Sequence, residues 1–182
     1  MFERLLTLHC APTLAGIKTA NLFSCRLDAA RARCITAQWD KALRGFGLRV
    51  RLLHEAQGLS LIYVYRPSRL ACELAAPETA AFLAAYGYPA GDLAAALSCL
   101  HRRIAQQGGF PHEIGLFLGY PLADVRGFIE HQGRNYRCCG CWKVYGDECA
   151  ARVLFARYAA CTEAYTRLYE SGRRVTQLAV AG

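Results

Sequence analysis

The chain has 182 residues, of which 54% are hydrophobic and 20% are charged, a balance that favours a compact globule and excludes a disordered chain. Its 22 basic and 14 acidic residues give a formal charge of +8, which favours anionic partners. The sequence shows no apolar stretch of about 18 residues and no secretory leader pattern, so we expect a cytoplasmic protein with reduced thiols and no membrane partner.

The first 66 residues predict helices and a small antiparallel sheet. The elements, in chain order, are a helix at 2–9, an element that starts at Pro12, a partly extended stretch at 21–26, a helix from Asp28 to about Arg44, and strands at 48–52 and 59–65. Asp28 is a typical helix N-cap, and Gly45 ends that helix. The run at 59–65 is nearly all apolar and rich in β-branched and aromatic residues, so it is the central strand.

Residues 67–182 predict a mostly helical part. The elements are helices at 77–86, 92–107, 111–118, 122–131 and 147–169, an extended segment at 136–145, and an edge strand at 175–180. Two Gly-Tyr-Pro corners separate helices, and the glycine of each corner ends its helix in a left-handed conformation. The sum predicts a single domain of the α+β class, with a small antiparallel sheet near the N-terminus packed with a mostly helical C-terminal part.

Three segments carry a family resemblance: His9–Thr19 with Asn21–Phe23, Phe110–Pro121, and Cys141–Tyr145. In them the chain resembles the uncharacterised bacterial family of domains of unknown function numbered three-seven-nine-three. The resemblance implies a cytosolic setting in anaerobic bacteria, and it implies no activity. In that family Ser and Tyr can stand where this chain has Cys139 and Cys141. The resemblance therefore implies that a metal site built from all three neighbouring cysteines is not the family's general function.

A cluster of cysteines near residue 140 is the first candidate site. Cys138 and Cys141 have the Cys-x-x-Cys spacing that chelates Zn or Fe, and Cys149 would complete the set, as could Cys161 or His131. The sequence has no second Cys-x-x-Cys pair. Plain reduced thiols are therefore the favoured interpretation, and a Zn or Fe module is the alternative. Redox exchange of the thioredoxin type is disfavoured, because such a motif opens a helix and this one leads into the extended run Trp142–Tyr145.

Cys10 is the candidate nucleophile. It lies just before the element predicted to start at Pro12, and a helix N-terminus there would favour the thiolate, with His9 as a helpful neighbour. His112, with Glu113 beside it, is the candidate base. A buried structural cysteine is the plainer alternative.

A second group of residues predicts binding of a small anion. Lys18 and Thr19 end a Gly-Ile-Lys-Thr stretch that lacks the glycine spacing of a P-loop, so a simple contact between Lys18 and an anion is all that it supports. Trp142 and Lys143 could stack on and pair with a planar anionic ligand. His9 belongs to the same expected binding set. A solvated lysine and a core tryptophan are the alternatives.

Residues 112–118 and 122–130 have the lengths of a helix-turn-helix, which with the positive charge raises nucleic-acid binding. Asp124 and Glu130 on the second helix would face phosphates badly, so this function is disfavoured.

The function that the sequence favours is a domain with one pocket, lined by residues 9–18, 111–113 and 138–143. The pocket would bind a small anionic ligand or use Cys10 as a thiolate. The substrate, the reaction and the oligomeric state are left open by the sequence.

Overall fold

The computed structural model describes residues 1–106 and 110–182. The helices and strands are, in chain order, α1 (Phe2–Leu14), β1 (Ala20–Arg26), α2 (Ala29–Leu43) followed by a 3₁₀ turn (Arg44–Phe46), β2 (Arg49–Ala56), β3 (Leu59–Tyr65), α3 (Pro67–Ala75), α4 (Pro77–Ala85), α5 (Leu93–Gln106), α6 (Ile114–Phe117), α7 (Leu122–Glu130), β4 (Cys138–Cys139), β5 (Lys143–Val144), α8 (Glu148–Glu170) and α9 (Val175–Leu178). The predicted helix end at about Gln107 lies outside the described residues.

The chain divides into two compact units. Residues Met1–Leu70 and Ala160–Gly182 form one, which we call the sheet unit, and Ala71–Ala159 form the other, the helical unit. The predicted α+β class is confirmed, because a small antiparallel sheet lies near the N-terminus and the later part of the chain is mostly helical. None of the helices within 1–106 and 110–182 is both long enough and apolar enough to span a bilayer.

The sheet unit is built on three antiparallel strands in the order β1-β3-β2. The prediction that β3 is central is confirmed, and every residue of β3 after Leu59 is buried. Helices α1 and α2 contact the sheet, and their apolar side chains share one core with Val50, Ile62 and Val64. Successive side chains of a strand point to opposite faces, so the unbroken burial after Leu59 means that both faces of β3 are covered, and a continuous apolar strand is what such a position requires.

The predicted break between a helix at 2–9 and a new element at Pro12 is wrong, because α1 runs without interruption through both. Pro12 lacks only the N–H that would bond to the carbonyl of Leu8, and Leu8 is exposed, so solvent can satisfy that carbonyl. Cys10 and Leu14 are fully buried, and this burial outweighs the lost hydrogen bond.

Helix α2 begins as predicted and ends at Leu43, next to the predicted end at about Arg44. The side chain of Asp28 accepts a 2.9 Å hydrogen bond from the backbone N–H of Arg31, which confirms the N-cap. Gly45 lies in the 3₁₀ turn that follows the helix, and that turn ends at Gly47, whose φ of 71° is left-handed.

The predicted edge strand at 175–180 is wrong, because the short helix α9 begins there. The backbone N–H of Arg174 donates to the side chain of Gln177 at 2.9 Å, and the N–H of Val175 donates to the Glu3 carboxylate at 2.8 Å. These side-chain acceptors satisfy the first N–H groups of a helix, and no strand partner is needed.

In the helical unit both Gly-Tyr-Pro corners follow a helix as predicted. Gly87 and Gly119 have φ values of 80° and 75°, which confirms the left-handed conformation at each corner. The helix predicted at 111–118 is shorter than expected, because only the four residues of α6 are α-helical. The extended segment predicted at 136–145 contains the two-stranded hairpin of β4 and β5.

Candidate functional site

The helical unit contains a cavity of about 340 Å³ that includes two of the three stretches predicted to form a pocket. His112 comes from the 111–113 stretch, and Cys139 to Lys143 come from the 138–143 stretch. The other lining residues lie on α6, α7 and the corner between them: Ile114, Gly115, Tyr120, Asp124, Val125 and Phe128. We call this space the hairpin cavity.

The β4–β5 hairpin places its side chains on alternate faces. Cys138 pairs with Val144, and both are buried, whereas Cys139 pairs with Lys143 and is exposed. Cys139 and Lys143 therefore share the face that lines the cavity. Gly140 lies at the bend, where a methyl group would collide with the ring of Phe155, so the tip of the hairpin requires glycine.

Asp124 on α7 holds the hairpin in place. Its side chain is buried, and Oδ2 accepts a 2.7 Å hydrogen bond from the indole N–H of Trp142. Its Oδ1 accepts from the backbone N–H groups of Tyr145 and Gly146, each at 2.8 Å. The helix-turn-helix interpretation treated Asp124 as an exposed acid, which is wrong, and the role found here was missed because these donors lie far along the chain.

Trp142 is part of a packed aromatic wall. The ring of Tyr120 stacks on it at 4.7 Å with an interplanar angle of 26°, and Phe155 meets it edge-on at 4.6 Å. Burial, together with the nearby Cys141 and Tyr158, raises the pKa of Tyr120 to about 12, so this phenol stays protonated at neutral pH. With its N–H bonded to Asp124, Trp142 is a fixed wall of the cavity, and the predicted core role of its ring fits this packing.

Two nitrogen-bearing side chains flank the ring of Phe128. The half-buried Lys143 donates from Nζ to the carbonyl of Gly133 at 2.8 Å, and its ammonium lies 5.8 Å from the centre of the Phe128 ring and 4.9 Å from that of Tyr136. The exposed ring of His112 approaches Phe128 edge-on at 4.9 Å. These contacts place the ammonium of Lys143 and the imidazole of His112 against a mainly apolar wall of the cavity.

Glu113, the predicted companion of His112, is committed to other contacts. The residue is 2% exposed, and its Oε1 accepts hydrogen bonds from Nε of Arg103 at 2.7 Å and from the hydroxyl of Tyr88 at 3.1 Å. Burial and the adjacent Glu113 carboxylate raise the pKa of Tyr88. Glu113 is not among the residues that line the cavity, so its evident role is to tie the 111–113 turn to α5.

The N-terminal candidates lie in the sheet unit. Cys10 is 0% exposed and sits inside α1, and burial strongly raises its pKa although Lys18 opposes the shift. This is the opposite of the lowered pKa that a helix N-terminus would produce, and α1 does not begin there. His9 is largely exposed, and its ring stacks on that of Phe23 at 5.3 Å. The partial burial of the imidazole lowers its pKa. Lys18 and Thr19 are buried, and each has a partner within the protein.

The cysteines proposed as metal ligands are not gathered into a site. Within 1–106 and 110–182, no group of three or more His, Cys, Asp or Glu side chains is placed to hold a metal ion. Cys138 is buried, whereas Cys141 and Cys149 are exposed. This geometry lends no support to the Zn or Fe alternative.

The helix-turn-helix interpretation also lacks support. Its first helix is the single turn α6. On the second, the guanidinium of Arg126 lies 5.5 Å from the centre of the Phe82 ring, and Asp124 faces inward.

A family model described as "Protein of unknown function (DUF3793)" matches residues 6–179. Searches of curated proteins and of solved structures found no match. The family resemblance seen in three segments of the sequence is thereby confirmed.

Proposed function

The chain belongs to the family described as Protein of unknown function (DUF3793), and we propose that its helical unit binds a small anionic ligand with a flat apolar ring in the hairpin cavity. The observation that carries this proposal is the charge arrangement at the cavity. His112 and Lys143 both line it, while the Asp124 carboxylate is occupied by three N–H donors.

The volume and walls of the cavity favour a small, flat ligand. Ligand pockets span about 300–1,000 Å³, and the hairpin cavity lies near the lower end of that range. Its apolar surface comes from Ile114, Val125 and the rings of Tyr120 and Phe128. Burying a ring against these side chains would supply the apolar part of the binding free energy.

The available donors favour an anion. Lys143 uses one N–H on the Gly133 carbonyl, and an ammonium has three, so further donors can face a ligand. The segment 131–146 contains Arg134, Arg137 and Lys143 and no Asp or Glu. Among the described residues that line the cavity, Asp124 is the only carboxylate, and its hydrogen bonds with N–H groups offset the repulsion that it would exert.

A matched pair of probes tests the proposal. 2-Naphthoate and 2-naphthamide have the same ring system and differ in charge. In a Trp39→Phe background Trp142 is the only indole, so its N–H resonance in a nitrogen-15 NMR spectrum reports binding at the cavity. We expect 2-naphthoate to bind about five-fold more tightly than 2-naphthamide, the factor that one nearby charge gives in a largely aqueous site.

Lysine variants locate the charge effect. Lys143→Met should abolish the preference for 2-naphthoate while retaining the apolar stem, and Lys143→Arg should keep it. Lys41→Met removes an exposed lysine of the sheet unit and should change neither affinity. Equal affinities of the wild-type protein for the two probes, or a preference that survives Lys143→Met, would overturn the proposal.

A further inference from the structure

We propose that Cys139 and Cys141 act as a dithiol that exchanges with small anionic disulfides bound in the hairpin cavity and closes to an intramolecular disulfide. This inference rests on the proposed function, because the anion site at Lys143 would bring the disulfide to the thiols. It gives the cavity a substrate class and assigns a reaction to two cysteines that the sequence favoured as plain reduced thiols.

Both thiols are accessible from the same space. Cys139 and Cys141 are exposed and line the hairpin cavity, and each is present as a thiol. Cys138, which directly precedes the pair, is buried on the opposite face of β4. The hairpin thus separates Cys138 from Cys139 and Cys141, and the latter two of these three cysteines line the cavity.

The local backbone brings the pair within bridging range. Two residues of extended strand span at most about 6.8 Å, whereas a disulfide joins Cα atoms that are about 4.4–6.8 Å apart. The chain bends over residues 140–142, where the N–H of Gly140 donates to the carbonyl of Trp142 at 3.1 Å, so the span from Cys139 to Cys141 is shorter than in a straight strand. Gly140 places no side chain beside the two sulfur atoms.

Lys143 supplies the charge selectivity. It is the direct cross-strand partner of Cys139, and such partners have Cβ atoms about 4.5–5.5 Å apart on one face. Because Lys143 lines the same cavity as Cys139 and Cys141, its ammonium attracts an anionic disulfide to the space that both thiols face. A neutral disulfide of the same shape lacks this attraction.

The reaction conserves atoms and electrons. The Cys141 thiolate attacks one sulfur of the bound disulfide, whose S–S bond breaks, and a small thiolate leaves behind a mixed disulfide. The Cys139 thiolate then attacks the Cys141 sulfur and expels the second small thiolate. The protein dithiol loses two electrons and two protons, and the small disulfide gains them as two thiols.

Two cysteine backgrounds isolate the reaction. Replacing Cys34, Cys72 and Cys149 by Ser leaves the cavity pair as the exposed thiols, and replacing Cys34, Cys139, Cys141 and Cys149 by Ser leaves Cys72 as a reference. The anionic probe is 5,5′-dithiobis(2-nitrobenzoate), and the neutral probe is 2,2′-dithiodipyridine. For the cavity pair we expect two small thiols released per chain, none retained, and a peptide that joins Cys139 to Cys141.

The ratio of the rates with the two probes tests the role of the cavity. The anionic-to-neutral rate ratio of the cavity pair should exceed that of Cys72 by about three-fold or more, because of the adjacent charge. Lys143→Met should remove this excess, and Lys143→Arg should retain it. With Cys139→Ser added, one small thiol should stay attached to Cys141, which shows that Cys139 resolves the mixed disulfide.

Three other results would each overturn the inference. These are small thiols retained on both cysteines, a bridge between Cys138 and Cys139, or a rate ratio equal to that of Cys72. Binding of 2-naphthoate to a Cys139→Ser/Cys141→Ser variant separates the two proposals. If the charge-dependent binding persists while exchange fails, only the dithiol inference is lost, and if that binding is also absent, the proposed function fails.

Discussion

The carboxylate of Asp124 accepts a 2.7 Å hydrogen bond from the indole N–H of Trp142, and this contact joins α7 to the hairpin at the cavity that both residues line. In the Asp124→Asn variant an amide NH2 group replaces one carboxylate oxygen, so a buried N–H donor that bonded to that oxygen would lose its acceptor. An unsatisfied buried donor costs about 1–3 kcal/mol, so we expect the free energy of unfolding to fall by that amount. Urea unfolding followed by Trp142 emission in the Trp39→Phe background measures it.

Glu130 provides the matched control for this prediction. It is exposed on the same helix, so Glu130→Gln should change the free energy of unfolding by less than about 0.5 kcal/mol. Equal effects of the Asp124 and Glu130 variants would show that the Asp124–Trp142 contact does not stabilise the unit.

The buried Glu113 and the half-buried Arg103 should behave as one energetic unit. Removing the polar head of either partner leaves the other without its 2.7 Å contact, so Arg103→Met and Glu113→Met should each destabilise the protein by about 1–3 kcal/mol. The double variant should cost clearly less than the sum of the two, which a double-mutant cycle measures. The exposed Glu163–Arg167 pair should show a coupling below about 0.5 kcal/mol, and equal couplings for both pairs would refute this account.

Asp40 should give the sheet unit an acid-sensitive contribution to stability. Burial alone would raise its pKa, but hydrogen bonds from Arg49, Arg44 and the N–H of Val50 outweigh it and lower the pKa to about 2. A carboxyl with a lowered pKa in the folded state stabilises above its unfolded pKa of about 4, and it loses that contribution as the pH falls towards 2.

The measurement is the difference in free energy of unfolding between the wild-type protein and Asp40→Asn at each pH. It should be about 1–2 kcal/mol near neutrality and should shrink between about pH 4 and pH 2. A difference that stays constant over this range would contradict the assignment.

Cys10 should be inert as long as the protein is folded. Its complete burial raises the pKa and blocks access, so iodoacetamide in mildly alkaline buffer should label Cys34 and leave Cys10 unmodified until denaturant is added. Peptide mass mapping reads the result. Labelling of Cys10 in the folded protein at a rate near that of Cys34 would revive the nucleophile interpretation.

Much of the fold follows from local chemistry and was therefore predictable. The Asp28 cap and the left-handed glycines Gly87 and Gly119 depend on residues within a few positions of each other. The central place of β3 follows from its unbroken apolar run. The continuation of α1 past Cys10 was not predictable in this way, because the burial of Leu14 that favours it depends on tertiary contacts.

The candidate site was predictable in part. The unusual density of polar and reactive groups at His112 and near Lys143 pointed to two stretches that do line one cavity. No sequence pattern indicates Asp124 as an anchor, because Trp142 lies 18 positions away and contacts it only in the folded unit. Cys10 and Glu113 have the chemistry expected of a reactive site, but both are buried, and that burial arises from tertiary contacts that the sequence does not display.

The affinity of the protein for 2-naphthoate relative to 2-naphthamide, compared between Lys143→Arg and Lys143→Met, tests the central claim most directly. The account predicts that the arginine variant prefers the anion by about five-fold and that the methionine variant binds the two probes equally. The same preference in both variants, or none in the arginine variant, would contradict an anion site at Lys143.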